Sequence, residues 1–336
     1  MKRFLDLSDL SDEQLEDVLD RARELEAHPR SDALAGRVVG LVFMNPSLRT
    51  LASMEAGVAQ LGGSSFVIAP GQSSWKLETR EGAVMDGDAV EHVNEAIPVL
   101  AEYCDALGVR CFAEGKDLET DLDDGVIRAM ARLSPVPFIN LESAVSHPCQ
   151  ALADWKTLDD CEIPADGTFV LSWAWHPKPL PYAVPSSALA MAARRGMRVV
   201  VLRPEGYDLP DAVMARAREL AAQSGGSVET TADRRAAMDG AHVLYAKSWC
   251  APQHYGRPLE EAVLRAPLRA GWCVDEPWFA PALPDAKFMH CLPVRRNVKV
   301  SDAVLDGPRS VVVQQAGNRL HAQKSLLVEM LGRKRA

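Results

Sequence analysis

Apolar and polar positions along the chain separate short buried strands from amphipathic helices. Residues 38–43 (Val-Val-Gly-Leu-Val-Phe) form an apolar run with the length and β-branched content of a buried strand. Asn45-Pro46-Ser47 breaks it, and Leu51, Met54, Val58 and Leu61 follow at three- and four-residue spacing, predicting a helix. Residues 8–27 predict an earlier amphipathic helix, with a cap and acids in its first turn. Strands are predicted at 65–69, 106–112 and 135–140, helices at 90–103 and 126–133, and a loop at 72–88. After a helix at 151–160 a second series begins. Strands at 168–173, 198–202, 227–230 and 241–246 alternate with helices at 185–195, 212–223 and 234–238, and 287–290 leads into another strand. A closing helix is predicted at 319–331. Such alternation implies βα units and parallel sheets. The expected class is α/β, with two doubly wound parallel-sheet domains linked by helices and the active site in the interdomain cleft. The expected division is 1–145, 146–310 and a C-terminal helix, 311–336, returning to the first domain.

Composition narrows the partners. The 336 residues are 47% hydrophobic and 25% charged, with a net charge of -9 and no long basic run. Nucleic acid and an acidic membrane are therefore unexpected partners. The tail Arg333-Lys334-Arg335 is expected to be solvated. No stretch reaches the length of a membrane span, and the N-terminus lacks a signal-peptide apolar core. Seven scattered cysteines with no CxxC pair fit reduced thiols in the cytoplasm better than disulfides or a zinc site. No metal and no cofactor are expected. GxGxxG after a strand and GxxxxGK[ST] are both absent, which disfavours a dinucleotide or P-loop site.

Candidate chemistry gathers at predicted strand ends, where doubly wound sheets bind ligands. Ser47, Arg49 and Thr50 lie at a strand-to-helix turn. There the backbone N–H groups and the helix dipole favour an anion, and Arg adds a planar fork of donors. The plainer reading is a capped helix with a solvated Arg. Arg110, Glu142, His147, His176, Lys178, Lys247 and Arg295 follow other strands. Each alone fits a surface charge or a structural histidine. Together, in an acidic protein, they point to a small anionic ligand. Cys291 reads as a small buried packing residue rather than a nucleophile.

Three motifs carry a resemblance. Ser47-Leu48-Arg49-Thr50, His147-Pro148-Cys149-Gln150 and His290-Cys291-Leu292-Pro293 resemble, in order and spacing, the carbamoyl-phosphate signatures of the aspartate/ornithine carbamoyltransferase superfamily. The chain lacks the Ser-Met-Gly loop of ordinary ornithine enzymes. Its 173–179, 246–249 and 295–299 segments resemble the branch acting on N-acylated ornithine. The resemblance implies a carbamoyl-phosphate domain followed by an acylornithine domain. It implies carbamoyl-phosphate binding by Ser47, Leu48, Arg49, Thr50, Arg110, His147, Pro148, Cys149, Gln150, Cys291, Leu292 and Arg319. It implies catalytic roles for Arg49, Thr50, Arg110 and His147, and acylornithine binding by Glu142, His176, Lys247, Leu292 and Arg295. It further implies a cytoplasmic homotrimer in which Trp75 reaches a neighbouring site, and Lys299 matches a lysine that some N-acetyl members carry carboxylated, a possible modification here. N-acetyl enzymes of the branch carry Glu at the position matching Val90, and N-succinyl enzymes carry a non-acidic residue. The implied reaction is carbamoyl transfer from carbamoyl phosphate to the δ-amine of N2-succinyl-L-ornithine, in arginine biosynthesis. The alternatives are N-acetyl-L-ornithine as acceptor, a catalytically silent carbamoyl-phosphate-binding paralogue, and a two-lobed periplasmic-type binding protein. The absent signal peptide and the cysteines argue against the last.

Overall fold

Twelve strands and twelve α-helices are found among the described residues, and the longer ones follow the βα order that the apolar runs predict. The computed structural model describes residues 1–332; Arg333-Lys334-Arg335, expected to be solvated, lies outside the described residues. The chain divides into two compact units. One comprises residues 1–113, 120–152 and those from 319 on; the other comprises 114–119 and 153–318.

In the first unit come β1 (Arg3–Phe4), α1 (Asp12–Ala27), β2 (Val38–Phe43), α2 (Leu48–Gln60), β3 (Ser64–Ile68), β4 (Lys76–Glu78) and β5 (Ala89–His92). They are followed by α3 (Val93–Glu102), β6 (Ala106–Arg110), α4 (Leu118–Leu122), α5 (Gly125–Leu133) and β7 (Phe138–Glu142). The helix α6 (Pro148–Asp160) runs on into the second unit's residues. Five strands form a parallel sheet in the order β1-β7-β6-β2-β3. Val42, Ile97, Leu107, Val109, Met130 and Phe138 pack together in its core.

The second unit carries β8 (Thr168–Trp173), α7 (Ala183–Arg194), β9 (Arg198–Leu202), α8 (Asp211–Ser224), β10 (Ser227–Thr231), α9 (Arg234–Met238) and β11 (Val243–Lys247). Then come α10 (Pro258–Arg265), β12 (Lys287–Met289), α11 (Asp302–Asp306) and α12 (Val312–Leu331). Its sheet is also parallel, in the order β10-β9-β8-β11-β12. From Arg319 on, α12 belongs to the first unit, where buried Lys324 donates to Leu25 O, Pro29 O and Gln60 Oε1, each at 2.9 Å.

Both sheets are doubly wound, and each therefore has one point where successive strands depart in opposite directions. In the first it lies between β2 and β6, and in the second between β8 and β11. The crevice outside the carboxyl ends of those strands is where this topology binds ligands.

Several boundaries differ from the sequence expectation, each for a local reason. Ser11, not Ser8, caps the first long helix, through a reciprocal box with Gln14; residues 7–9 form a separate single turn. The expected loop at 72–88 contains β4, which pairs with β5. The helix expected at 90–103 therefore starts at Val93, with the His92 ring accepting from Asn94 N at 3.1 Å. The next two helices on which site residues depend begin early. Pro148 occupies the first position of α6, where its missing N–H costs nothing, and α12 begins at Val312. The short elements β1, β4, α4, α10 and α11 were not anticipated, being too brief or too polar to show a period. No helix among the described residues is long and apolar enough to cross a membrane.

Candidate active site

At the first unit's switch point, β2 ends and Ser47 caps α2. Its hydroxyl accepts from Thr50 N at 3.2 Å, and its extended backbone turns the chain into the helix. Leu48 is the first helical residue and is exposed, so it can offer a ligand its backbone N–H. Arg49 is half-buried, which departs from the solvated Arg of the plainer reading. Thr50 is fully buried, and its Oγ1 accepts from Arg319 Nη2 at 2.7 Å.

The neighbouring strands deliver the rest. Arg110, at the end of β6, stacks over the Phe112 ring at 4.3 Å and is ion-paired with Glu142, at the end of β7. His147 Nε2 lies 3.3 Å from the same Glu142 oxygen. The His147 carbonyl accepts from Gln150 N and Ala151 N, so the histidine sits at the start of α6 with Pro148 and Gln150. Cys149 is different: its thiol donates to Asn140 O at 3.8 Å, and burial pushes it up to about 11, so it remains a packing thiol. Asp124 holds the 143–147 turn by accepting from Ser143 Oγ (2.6 Å) and Ala144 N (3.1 Å).

Charge balance within this cluster is uneven. Burial pushes the Arg319 guanidinium below its ordinary value, Arg110 and Arg49 push the same way, and Glu142 opposes them. Three guanidiniums thus face one carboxylate. Arg110 Nε and Arg319 Nε are buried with no hydrogen-bond partner among the described residues. Buried donors without acceptors are costly, and an anion with several oxygens would satisfy them.

The second unit has a matching arrangement. His176 follows β8, and its Nε2 accepts from Arg295 Nε at 3.2 Å. Its Nδ1 lies 2.9 Å from Lys178 O and 3.1 Å from Lys178 N. Lys247, ending β11, donates to Cys291 Sγ at 3.4 Å. Leu292 takes a left-handed φ of 55°, and its N–H donates to His290 Nδ1 at 2.8 Å. Lys299 is buried; desolvation, then the charge of Lys247, pushes its amine well below the usual lysine range.

Sequence reasoning missed the groups that hold these loops. Gln315 accepts from His290 N (2.9 Å) and donates to Asp154 (2.6 Å), fixing the turn that carries Cys291 and Leu292. Glu261 and Arg265, four residues apart on α10, look like an exposed helix pair in the sequence but are each 1% exposed. The neighbouring Trp173, Trp175 and Trp249 were the available signal, because such rings bury whatever lies against them.

Trp75 and Val90 lie on the β4–β5 ribbon. Trp75 is exposed, and its Nε1 donates to Glu91 Oε2 at 2.6 Å. Lys76 pairs with Ala89 but Leu77 with Glu91, so the register slips and leaves Val90 as the unmatched residue. It is therefore an exposed bulge residue, not the first residue of the helix expected at 90–103. No cluster of three or more metal-ligating side chains occurs among the described residues.

Two family descriptions cover this chain: the carbamoyl-P binding domain of aspartate/ornithine carbamoyltransferase matches residues 2–160, and its Asp/Orn binding domain matches 182–330. The chain belongs to the aspartate/ornithine carbamoyltransferase family. Within this carbamoyltransferase family it falls in the N-acylornithine branch. The N-acetylornithine carbamoyltransferase of Xanthomonas campestris pv. campestris is 41% identical over 339 residues, covering 100% of this chain and 99% of that one. The N-succinylornithine carbamoyltransferase of Bacteroides thetaiotaomicron is 36% identical over 323 residues, 95% of each chain. A crystal structure of a glutamate-to-valine variant of N-acetyl-L-ornithine transcarbamylase, complexed with carbamyl phosphate and N-succinyl-L-norvaline, matches with TM-score 0.94 and 41% identity, over 98% of this carbamoyltransferase and 100% of that chain.

In this carbamoyltransferase His176 gives a stability prediction. Burial first, then Lys299, Arg295 and Arg265, depress it from 6.5 to about 4. Above pH 6.5 the folded and unfolded imidazoles are both neutral. As pH falls from 6.5 toward 4 the unfolded chain takes up the proton first, so stability is lost across that window. The wild-type Tm will fall more steeply there than that of His176→Asn. Parallel Tm curves in a pH series would show an ordinarily titrating ring.

Proposed function

We propose that the protein transfers the carbamoyl group of carbamoyl phosphate to the δ-amine of N2-succinyl-L-ornithine, a step of arginine biosynthesis. The observation that carries the acyl assignment is Val90, an exposed apolar residue at the bulge where the resemblance places the acid of N-acetyl enzymes. Glu91, its acidic neighbour, is engaged by the Trp75 indole. The cationic set of the second unit supports the same reading. Arg295 lies near His176 and Lys247 near Cys291, and a succinylated amino acid brings two carboxylates to pair with cations. The glutamate-to-valine relative, captured with a succinylated ligand, is compatible with it. The higher identity to the N-acetyl relative, 41% against 36%, favours N-acetyl-L-ornithine as the second reading.

The chemistry follows from the first unit's donors. The neutral δ-amine attacks the carbamoyl carbon, and negative charge builds on the carbonyl oxygen and then on the departing phosphate. Arg110, His147 and Thr50 are the donors assigned to the carbonyl oxygen, with Gln150, Cys291 and Leu292 completing the carbamoyl pocket. Ser47, the Leu48 N–H, Arg49 and the α2 terminus are assigned to the phosphate, with Arg319 behind Thr50. Each preorganised donor of this kind is worth roughly 3–4 kcal/mol to the transition state. The leaving phosphate can take the amine proton, since no dedicated base is required. Glu142, His176, Lys247, Leu292 and Arg295 are assigned to the acceptor. In the same proposal Lys299, held neutral, adds carbon dioxide to give a carbamate and a proton. Trp75, exposed next to β4, serves a neighbouring copy in a homotrimer.

Formation of N-succinyl- and N-acetyl-L-citrulline from the corresponding ornithines, measured side by side with carbamoyl phosphate, tests the acceptor. A higher kcat/KM for the succinyl compound is expected. A strong acetyl preference overturns the acyl assignment, and turnover of neither acceptor would favour the silent paralogue.

A further inference from the structure

The acceptor loops after β8 and β11 share one buried anchor. Arg265, at the end of α10, donates from Nη1 to His176 O (2.9 Å) and Lys178 O (2.8 Å). From Nη2 it donates to Trp249 O at 3.1 Å and to Glu261 Oε1. Glu261 Oε1 also accepts from Ala251 N at 3.2 Å, and the Arg265 carbonyl accepts from Trp175 Nε1 at 2.8 Å. The guanidinium lies 5.6 Å from the Trp173 ring and 5.5 Å from the Tyr207 ring, so its faces are covered.

Main-chain carbonyls at 176, 178 and 249 are thus held by a single planar fork. The first belongs to the residue whose ring meets Arg295, the second lies two residues on, and the third lies two residues after Lys247. We propose that Arg265, with Glu261 as its counter-ion, is a positioning residue for the acceptor side: it sets the backbone that presents His176 and ties it to the segment following Lys247. The proposal rests on the assignment of His176 and Lys247 to the acceptor. Lysine in its place keeps the charge but offers three donors from one point, which cannot span three carbonyls in the plane of a fork.

The test compares wild type, Arg265→Lys and Glu261→Gln. Steady-state KM is measured separately for carbamoyl phosphate and for N-succinyl- and N-acetyl-L-ornithine, and the His176 ring is titrated by NMR in the whole enzyme. In Arg265→Lys the KM of the preferred acceptor rises about tenfold while that of carbamoyl phosphate is unchanged. The His176 midpoint moves up toward the ordinary histidine value as its loop loosens. Glu261→Gln, which keeps an oxygen for Ala251 N and Arg265, shifts both readouts the same way by less and serves if the lysine variant does not fold. Equal changes in both KM values, or a lower Tm with unchanged acceptor KM and imidazole midpoint, overturn the proposal. If wild type carbamoylates neither acceptor, the functional assignment fails, while the imidazole titration still decides whether Arg265 sets the His176 loop.

Discussion

Replacing Arg49 by alanine will abolish measurable turnover while leaving the fold intact. Arg49 is the second residue of α2, beside backbone N–H groups that already favour an anion. Its guanidinium is assigned to the phosphate on which charge accumulates as the carbamoyl bond breaks. Loss of one such donor costs about 10²–10³ in kcat, and loss of a full charge should fall at the upper end. The KM for carbamoyl phosphate should rise as well, because the ground-state phosphate is also dianionic. Stability should move the other way or not at all. Arg49 is half-buried and its charge acts against that of buried Arg319, so removing it relieves like-charge repulsion there in the ligand-free protein. A Tm equal to or above that of wild type, with kcat down about a thousandfold, is the expected pair of results. Wild-type turnover in Arg49→Ala would refute the cradle, and a collapsed Tm would mean that the arginine supports the fold rather than the ligand.

The central parallel strands were legible because they are buried on both faces and so read as continuous apolar runs: Val38–Phe43 and Thr168–Trp173 are cases. Residues at strand ends were legible for the same reason, since a polar side chain just past such a run has a defined place in a doubly wound sheet. The β4–β5 ribbon was not. Lys76-Leu77-Glu78 is too short and too polar to show a period, and Ala89 to His92 merges in sequence with the helix that follows. Pairing between the two segments, helped by the exposed Lys76–Asp88 contact at 2.9 Å, is a non-local fact that no window reveals. Glu261 and Arg265 were hidden for another reason. Their i,i+4 spacing is that of a solvent-exposed helix pair, and what buries them is packing of loops distant in sequence. The strand-end residues assigned to a ligand were therefore visible, whereas those that hold their loops in place were hidden.

The Val90→Glu variant will turn acceptor preference from succinyl toward acetyl. A bulge re-aims the side chain it leaves unmatched, and at this bulge that side chain is valine. A glutamate there, at about 5 Å from a succinyl carboxylate, would oppose it by roughly 3 kcal/mol at an effective dielectric near 20. Partial exposure screens some of this, so the succinyl kcat/KM should fall by about tenfold to a hundredfold. N-acetyl-L-ornithine carries no distal carboxylate and escapes the penalty, so its kcat/KM should hold or rise. Salt gives an independent check: the discrimination in Val90→Glu should shrink at high ionic strength, whereas a steric effect of the longer side chain would not. Val90→Gln separates the two causes further, since it matches glutamate in size without the charge and should keep the succinyl preference. If Val90→Glu and Val90→Gln lower succinyl turnover alike, shape rather than charge reads the acyl group, and the acid-for-valine argument fails with it.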